Sequence, residues 1–150
     1  MKNLFNKNDV KETILRINKL TPETPGLWGK MTVDQMLAHC CIAYDMVYTD
    51  NYPKVGGFQK FIIKRFAKPT VIGSKPYTKN GRTTPEFIIK ERKYFEAEKR
   101  RLIQNIEKTQ ALGATHFNNK ENRAFGKLST TEWNTLFSKH LEHHLTQFGV

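Results

Sequence analysis

Apolar residues recur along this chain three and four positions apart, in blocks separated by Pro- and Gly-rich breaks, which is the signature of amphipathic helices. The first block puts Val10, Ile14 and Ile17 on one face of a helix from about Asn8 to Leu20, and Pro22 and Pro25 forbid its continuation. A Pro/Gly loop then reaches Trp28. The second block has the best-marked start: Thr32 as N-cap, Gln35 at the third helical position, and Met31 stapled to Met36. Its apolar face collects Val33, Met36, Leu37, Cys40, Tyr44 and Val47, with His39 at the edge. A shorter apolar segment, Phe58 to Phe66, follows Gly56 and Gly57.

An irregular loop from Pro69 to Thr83 ends at Thr84 and Pro85, an N-cap and first-turn proline for a long helix to about Leu112 that Gly113 stops. The inner face of that helix reads Phe87, Ile88, Phe95, Leu102 and Ile106, and Glu91 and Glu98 lie at the edge of the stripe. Ser129 as N-cap, Glu132 three residues on, and Leu128 stapled to Trp133 open the last helix, Ser129 to Phe148. Nowhere do four residues alternate cleanly between turn signals, so no strand is predicted, and no repeat is present. The pattern predicts an all-α fold: an antiparallel four-helix bundle with an extra short helix and a long loop-rich crossover.

Composition narrows the class. At 150 residues the chain is one domain, 1–150, able to bury a core without disulfides or a structural metal. The apolar runs are far short of a membrane span, the N-terminal stretch lacks the apolar core of a signal peptide, and the only cysteines, Cys40 and Cys41, are adjacent. These features predict a cytoplasmic protein with reduced thiols and no membrane partner. Cys40 near the apolar stripe reads first as a small buried side chain and second as a catalytic thiol.

A net charge of +11 invites a nucleic-acid reading until it is located. Seven basic and no acidic residues fall between Lys60 and Arg82, while the chain outside 55–110 is nearly neutral. No recognition motif accompanies the patch, so a solvated basic loop is expected ahead of nucleic acid, and an anionic substrate is a third reading.

The last helix carries the clearest chemistry. At about 100° per residue, His140 and His144 lie about 40° apart and point where Trp133, Phe137 and Phe148 point. Histidines at i and i+4 can reach one ion, the spacing that serves zinc in HExxH helices, though the rest of that motif is absent. His39 is the third imidazole available on a well-ordered helix face; His116 falls in a loop. Three neutral imidazoles suit zinc, nickel, iron or copper and leave room for water or substrate. The periodicity alone equally describes histidines hydrogen-bonded within a core, which is the commoner arrangement. His143 sits at the rim, a residue to orient a ligand rather than to bind the ion.

The segment MTVDQMLAH of Met31 to His39, with KHLEHHLTQFG of Lys139 to Gly149, resembles the DinB/YfiT-like superfamily of metalloenzymes. The closest likeness is to an uncharacterised bacterial branch, and it extends to Pro76–Pro85 and to the Phe125–Ser129 lead-in to Trp133. The resemblance implies a helical bundle in which His39, His140 and His144 bind a divalent metal. Zinc or nickel is the first expectation; iron or manganese follows. Helical bundles commonly associate through their apolar helix faces, so a homodimer is expected. The resemblance further implies a metal-dependent transferase, isomerase or hydrolase acting on a small-molecule electrophile, with a low-molecular-weight thiol as co-substrate. His143, Glu91 and Glu98 are then the residues to orient or deprotonate the nucleophile. Asn122, Arg123 and Ala124 stand where that branch often has a His-Pro pair, so no extra histidine is expected there. The competing reading is a non-catalytic binding or stress-response module that uses Lys60 to Arg82 against nucleic acid or an acidic partner.

Overall fold

The computed structural model describes every residue except Pro53 and Lys54, and the side chain of Gln59. Its elements are α1 (Lys7–Asn18), α2 (Val33–Tyr48), α3 (Gly57–Ile72), a single 3-10 turn (Pro85–Phe87), α4 (Phe95–Phe117), β1 (Lys120–Asn122), β2 (Gly126–Leu128) and α5 (Thr130–Gln147). The molecule is mostly helical, as the periodicity predicts.

Local chemistry explains the helix starts. Asn6 caps α1, its Oδ1 accepting the Asn8 and Asp9 N–H groups at 2.9 and 3.2 Å. Gln35 Oε1 accepts the Thr32 N–H at 3.0 Å. At α5 the capping box is reciprocal: Ser129 N–H donates to Glu132 Oε2 at 2.8 Å and Glu132 N–H to Ser129 Oγ at 3.3 Å. These two starts fix the registers of the helices that carry the histidines.

Helix α2 is the axis of the core. It packs most extensively on α4, which also holds α1, while α5 contacts α2, α3 and α4. From Val33 to Tyr44 only Gln35 escapes burial, so α2 is enclosed on all sides rather than on the single face its stripe predicts. Leu102, Ile106, Phe117 and Leu128 are fully buried around it, and its own Tyr44 stacks on Phe137 at 4.8 Å. Each large side chain removed from water contributes roughly 1.5–3 kcal/mol.

Three predicted boundaries move, each because tertiary contacts override local sequence. Helix α3 runs on through Pro69 to Ile72 instead of ending near Phe66. The missing proline N–H falls in the last turn, and the carbonyls left over at that end are taken by Lys139, whose Nζ donates to Thr70 O at 2.7 Å and Gly73 O at 2.8 Å. Lys139 thereby brings a cation to a helix C-terminus.

Thr84 and Pro85 open only the 3-10 turn, and α4 begins at Phe95. Residues 88–94 are drawn out along α2, so Ile88 is exposed and Phe87 belongs to a different surface from Phe95, Leu102 and Ile106. Gly113 does break the helix, at φ 74°, but the chain is helical again up to the buried Phe117.

A hairpin was not predicted and is present. Lys120 pairs with Leu128 and Asn122 with Gly126, in strands of three residues, too short to leave an alternating signature. Asn122 Oδ1 closes the turn by accepting the Ala124 and Phe125 N–H groups. On α3, Phe58, Phe61 and Phe66 stay exposed while Ile63, Ala67 and Val71 pack against the core. Among the described residues, no helix is long and apolar enough to cross a membrane.

Candidate metal centre

Helices α2 and α5 meet so that His39 faces His140 and His144. The ring centroids stand 4.9 Å apart for His39 and His140, 4.6 Å for His39 and His144, and 4.8 Å for His140 and His144. One ligand nitrogen from each residue lies within 4.8 Å of the others. His39 and His144 are buried, and His140 is half-buried as a residue with its ring enclosed by neighbouring rings.

The hydrogen bonds fix which nitrogens are bare. His39 Nδ1 lies 2.7 Å from Phe87 O, and a carbonyl can only accept, so Nδ1 carries the proton and Nε2 presents a lone pair. His144 Nδ1 lies 2.8 Å from Gln147 Oε1. The orientation of that amide is set in turn, because Gln147 Nε2 donates to Trp28 O at 2.8 Å. His144 is therefore also Nδ1–H with a bare Nε2. Between His39 Nε2 and His140 Nε2 the distance is 2.9 Å. With His39 the acceptor, His140 holds the proton there until an ion takes its place. Outer acceptors on ligand histidines are the arrangement by which proteins orient imidazoles and raise their basicity.

The electrostatics keep these rings neutral. Burial pushes His144 down to about 3, with His39 adding to the depression and the Gln147 hydrogen bond opposing it. Burial also holds His140 well below the ordinary imidazole range, reinforced by its three histidine neighbours. His39 is lowered by burial, against the pull of the Phe87 carbonyl. Neutral imidazoles with converging lone pairs are the form in which histidine binds metal. The donor set thus fits a nitrogen-preferring divalent ion.

The other sequence candidates are placed elsewhere or at the rim. His143 is half-buried, with its ring edge-on to Trp28 at 5.9 Å, Tyr77 at 5.6 Å and His144 at 5.0 Å. Glu91 lies on the 88–94 segment, 86% exposed, 3.8 Å from Lys93. Glu98, on α4, pairs with Arg101 at 2.9 Å. Cys40 and Cys41 are buried free thiols, and burial raises Cys41 to about 11. Two cations of the basic segment are spent within the fold: Lys60 pairs with Glu121 at 2.7 Å and Lys68 with Glu132 at 2.8 Å.

Four contributors escaped the sequence reading. Phe87 covers the cluster, its ring 5.3 Å from His39 and 5.9 Å from His140. Gln147, three residues after His144 on the same helical face, carried a readable signal. Trp28 and Tyr77 sit in loops, where no periodicity marks them.

Gly29 allows this assembly. It holds φ +84°, and a Cβ there would fall 2.6 Å from Gln147 Nε2. Gly29→Ala is expected to cost about 1–2 kcal/mol for the left-handed backbone alone, and to push Gln147 off His144. Urea unfolding reads the first effect. A change in the His144 ¹⁵N imidazole shifts reads the second, and unchanged values of both would contradict this account.

Fold and site together define a mostly helical protein in which two helices bring three neutral imidazoles to one point. Residues 2–149 match the model of a family described as Protein of unknown function (DUF1569), and the chain belongs to that family. No curated protein and no solved structure matches it.

Proposed function

We propose that this protein is a divalent-metal-dependent enzyme in which His39, His140 and His144 hold the ion, in keeping with the sequence likeness to DinB/YfiT-like proteins. The observation that carries the reading is the locking of two of the three ligands. His39 and His144 each commit Nδ1–H to an acceptor, which leaves Nε2 of both free for an ion. Two bare Nε2 atoms therefore face one point, and the third, His140 Nε2, gives up its proton when an ion binds. Zinc and nickel suit an all-nitrogen set best, iron next, and manganese least because it favours oxygen ligands.

When bound, the ion would act as a Lewis acid, lowering the pKa of a low-molecular-weight thiol or a water for attack on a small electrophile. His143 stands next to His144 and is held below its ordinary value by burial, so it is neutral at pH 7 and able to take a proton from the nucleophile. Phe87 lies over His39 and His140 and limits water there. Transfer of a thiol to an electrophile is the first reaction to test, and hydrolysis or isomerisation the next.

The test is a reconstitution. Protein stripped by a chelator is assayed with a small thiol and an electrophilic acceptor, then again after one equivalent of zinc or nickel. Turnover that vanishes on stripping and returns with metal supports the proposal. A rate equal with and without metal, or no turnover of any thiol or water reaction by the loaded protein, counts against it.

A further inference from the structure

The first turn of α2 contains a carboxylate that the metal cluster does not use. Asp34 is 1% exposed, although an acid at a helix N-terminus gains its dipole interaction equally well at the surface. Burying a carboxylate costs several kcal/mol unless specific partners compensate. Its partners lie on the segment that replaces the expected start of α4. Asp34 Oδ2 accepts the Lys93 N–H at 2.6 Å and Arg92 Nε–H at 3.1 Å. The next residue helps, since Gln35 Nε2 donates to Lys90 O at 3.3 Å.

That segment leads back to Phe87, whose carbonyl receives the His39 Nδ1 proton. A closed loop results: α2 from Asp34 to His39, across to Phe87, along 88–91 to Arg92 and Lys93, and back to Asp34. Among the described residues, the hydrogen bonds that tie 88–93 to α2 come from Asp34 and Gln35, with His39 itself bound at the Phe87 end. The 3-10 turn orients the Phe87–Ile88 peptide locally, Ile88 N–H donating to Pro85 O at 3.1 Å, and the latch ties the chain that leaves this turn to α2.

We infer that Asp34 is a positioning residue for His39: by pinning Arg92 and Lys93 it holds the Phe87 carbonyl that keeps His39 in the Nδ1–H form, with Nε2 turned to the centre. The inference rests on the metal-site reading for its purpose, but the tautomer it predicts belongs to the metal-free chain.

The experiment uses ¹⁵N-histidine-labelled full-length protein without metal, followed by titration with Zn(II). In the wild type, His39 should show one fixed Nδ1–H tautomer. Asp34→Ala should average its two ¹⁵N shifts and weaken Zn(II) binding about 10–100-fold, the range for loss of an outer partner of a ligand. Asp34→Asn keeps an oxygen for the Lys93 N–H and should restore most of the tautomer and affinity. Arg92→Ala, at a side chain 71% exposed, removes one donor without threatening the fold and should give a smaller change in the same direction. A folded Asp34→Ala with the wild-type His39 tautomer and wild-type affinity overturns the inference. If Asp34→Ala fails to fold, Arg92→Ala decides: a folded Arg92→Ala indistinguishable from wild type at His39 overturns it equally. Should no variant bind Zn(II) while the tautomer still follows residue 34, the metal reading fails and the positioning role stands.

Discussion

His144→Ala is expected to reduce divalent-metal affinity by a factor on the order of a hundred or more, while leaving the helices intact. His144 supplies one of the three nitrogens that converge, and its loss leaves two ligands, fewer than the three protein ligands typical of catalytic zinc sites. It also frees Gln147, whose Oε1 then has no imidazole to meet. His140→Ala should do the same, because the three rings stand at the corners of a triangle with sides of 4.9, 4.6 and 4.8 Å and each contributes one nitrogen. His143→Ala should keep the ion, since His143 faces Trp28 and Tyr77 at the rim. Isothermal titration with Zn(II) separates these cases. Equal loss in all three variants would mean that the cluster binds by general basicity rather than by the geometry described.

The second large effect is acid destabilisation of the metal-free protein. His144 is depressed from 6.5 to about 3 on folding, so between those values the unfolded chain binds the extra proton. Stability therefore rises with pH across that window: it is fully present above about 6.5 and is lost as pH falls toward 3. His144 alone accounts for about 2 kcal/mol between pH 7 and pH 5, and His39 and His140 act in the same direction. Asp34, Glu132 and Glu142 are held below their ordinary values, so they lose their contribution only at lower pH. Urea unfolding at pH 7, 6 and 5 thus reads chiefly the histidines, with Asp45, raised by burial, acting in the opposite direction. A His144→Gln variant should show a shallower dependence, and saturating Zn(II) a steeper one because protons compete with the ion. Equal stability of the wild type at pH 7 and pH 5 would contradict the burial of neutral imidazoles.

Much of the site was legible because its two helices announce themselves. Thr32–Gln35 and Ser129–Glu132 set the registers of α2 and α5, and register determines which way His39, His140 and His144 point. Less was legible where long-range contacts decide. Residues 88–94 have the composition of a helix, yet Asp34 and Gln35, more than fifty residues earlier, hold them extended. Pro69 looked like a helix end until Lys139 supplied donors for the carbonyls beyond it. The apolar pattern puts Glu91 and Glu98 at the edge of one stripe, whereas the late start of α4 leaves Glu91 in the 88–94 segment and Glu98 on the helix. The outer acceptors Phe87 and Gln147 differ in the same way. One shares a helical face with its histidine, and the other reaches His39 only through the folded chain.

The most direct measurement is the metal content of the wild-type chain, isolated without an affinity tag and analysed by mass spectrometry of its elements. The account predicts close to one zinc, nickel or iron per chain, and recovery of one equivalent after stripping and reconstitution. A wild-type protein that carries no such ion, and that binds added Zn(II) no better than His144→Ala, would contradict it.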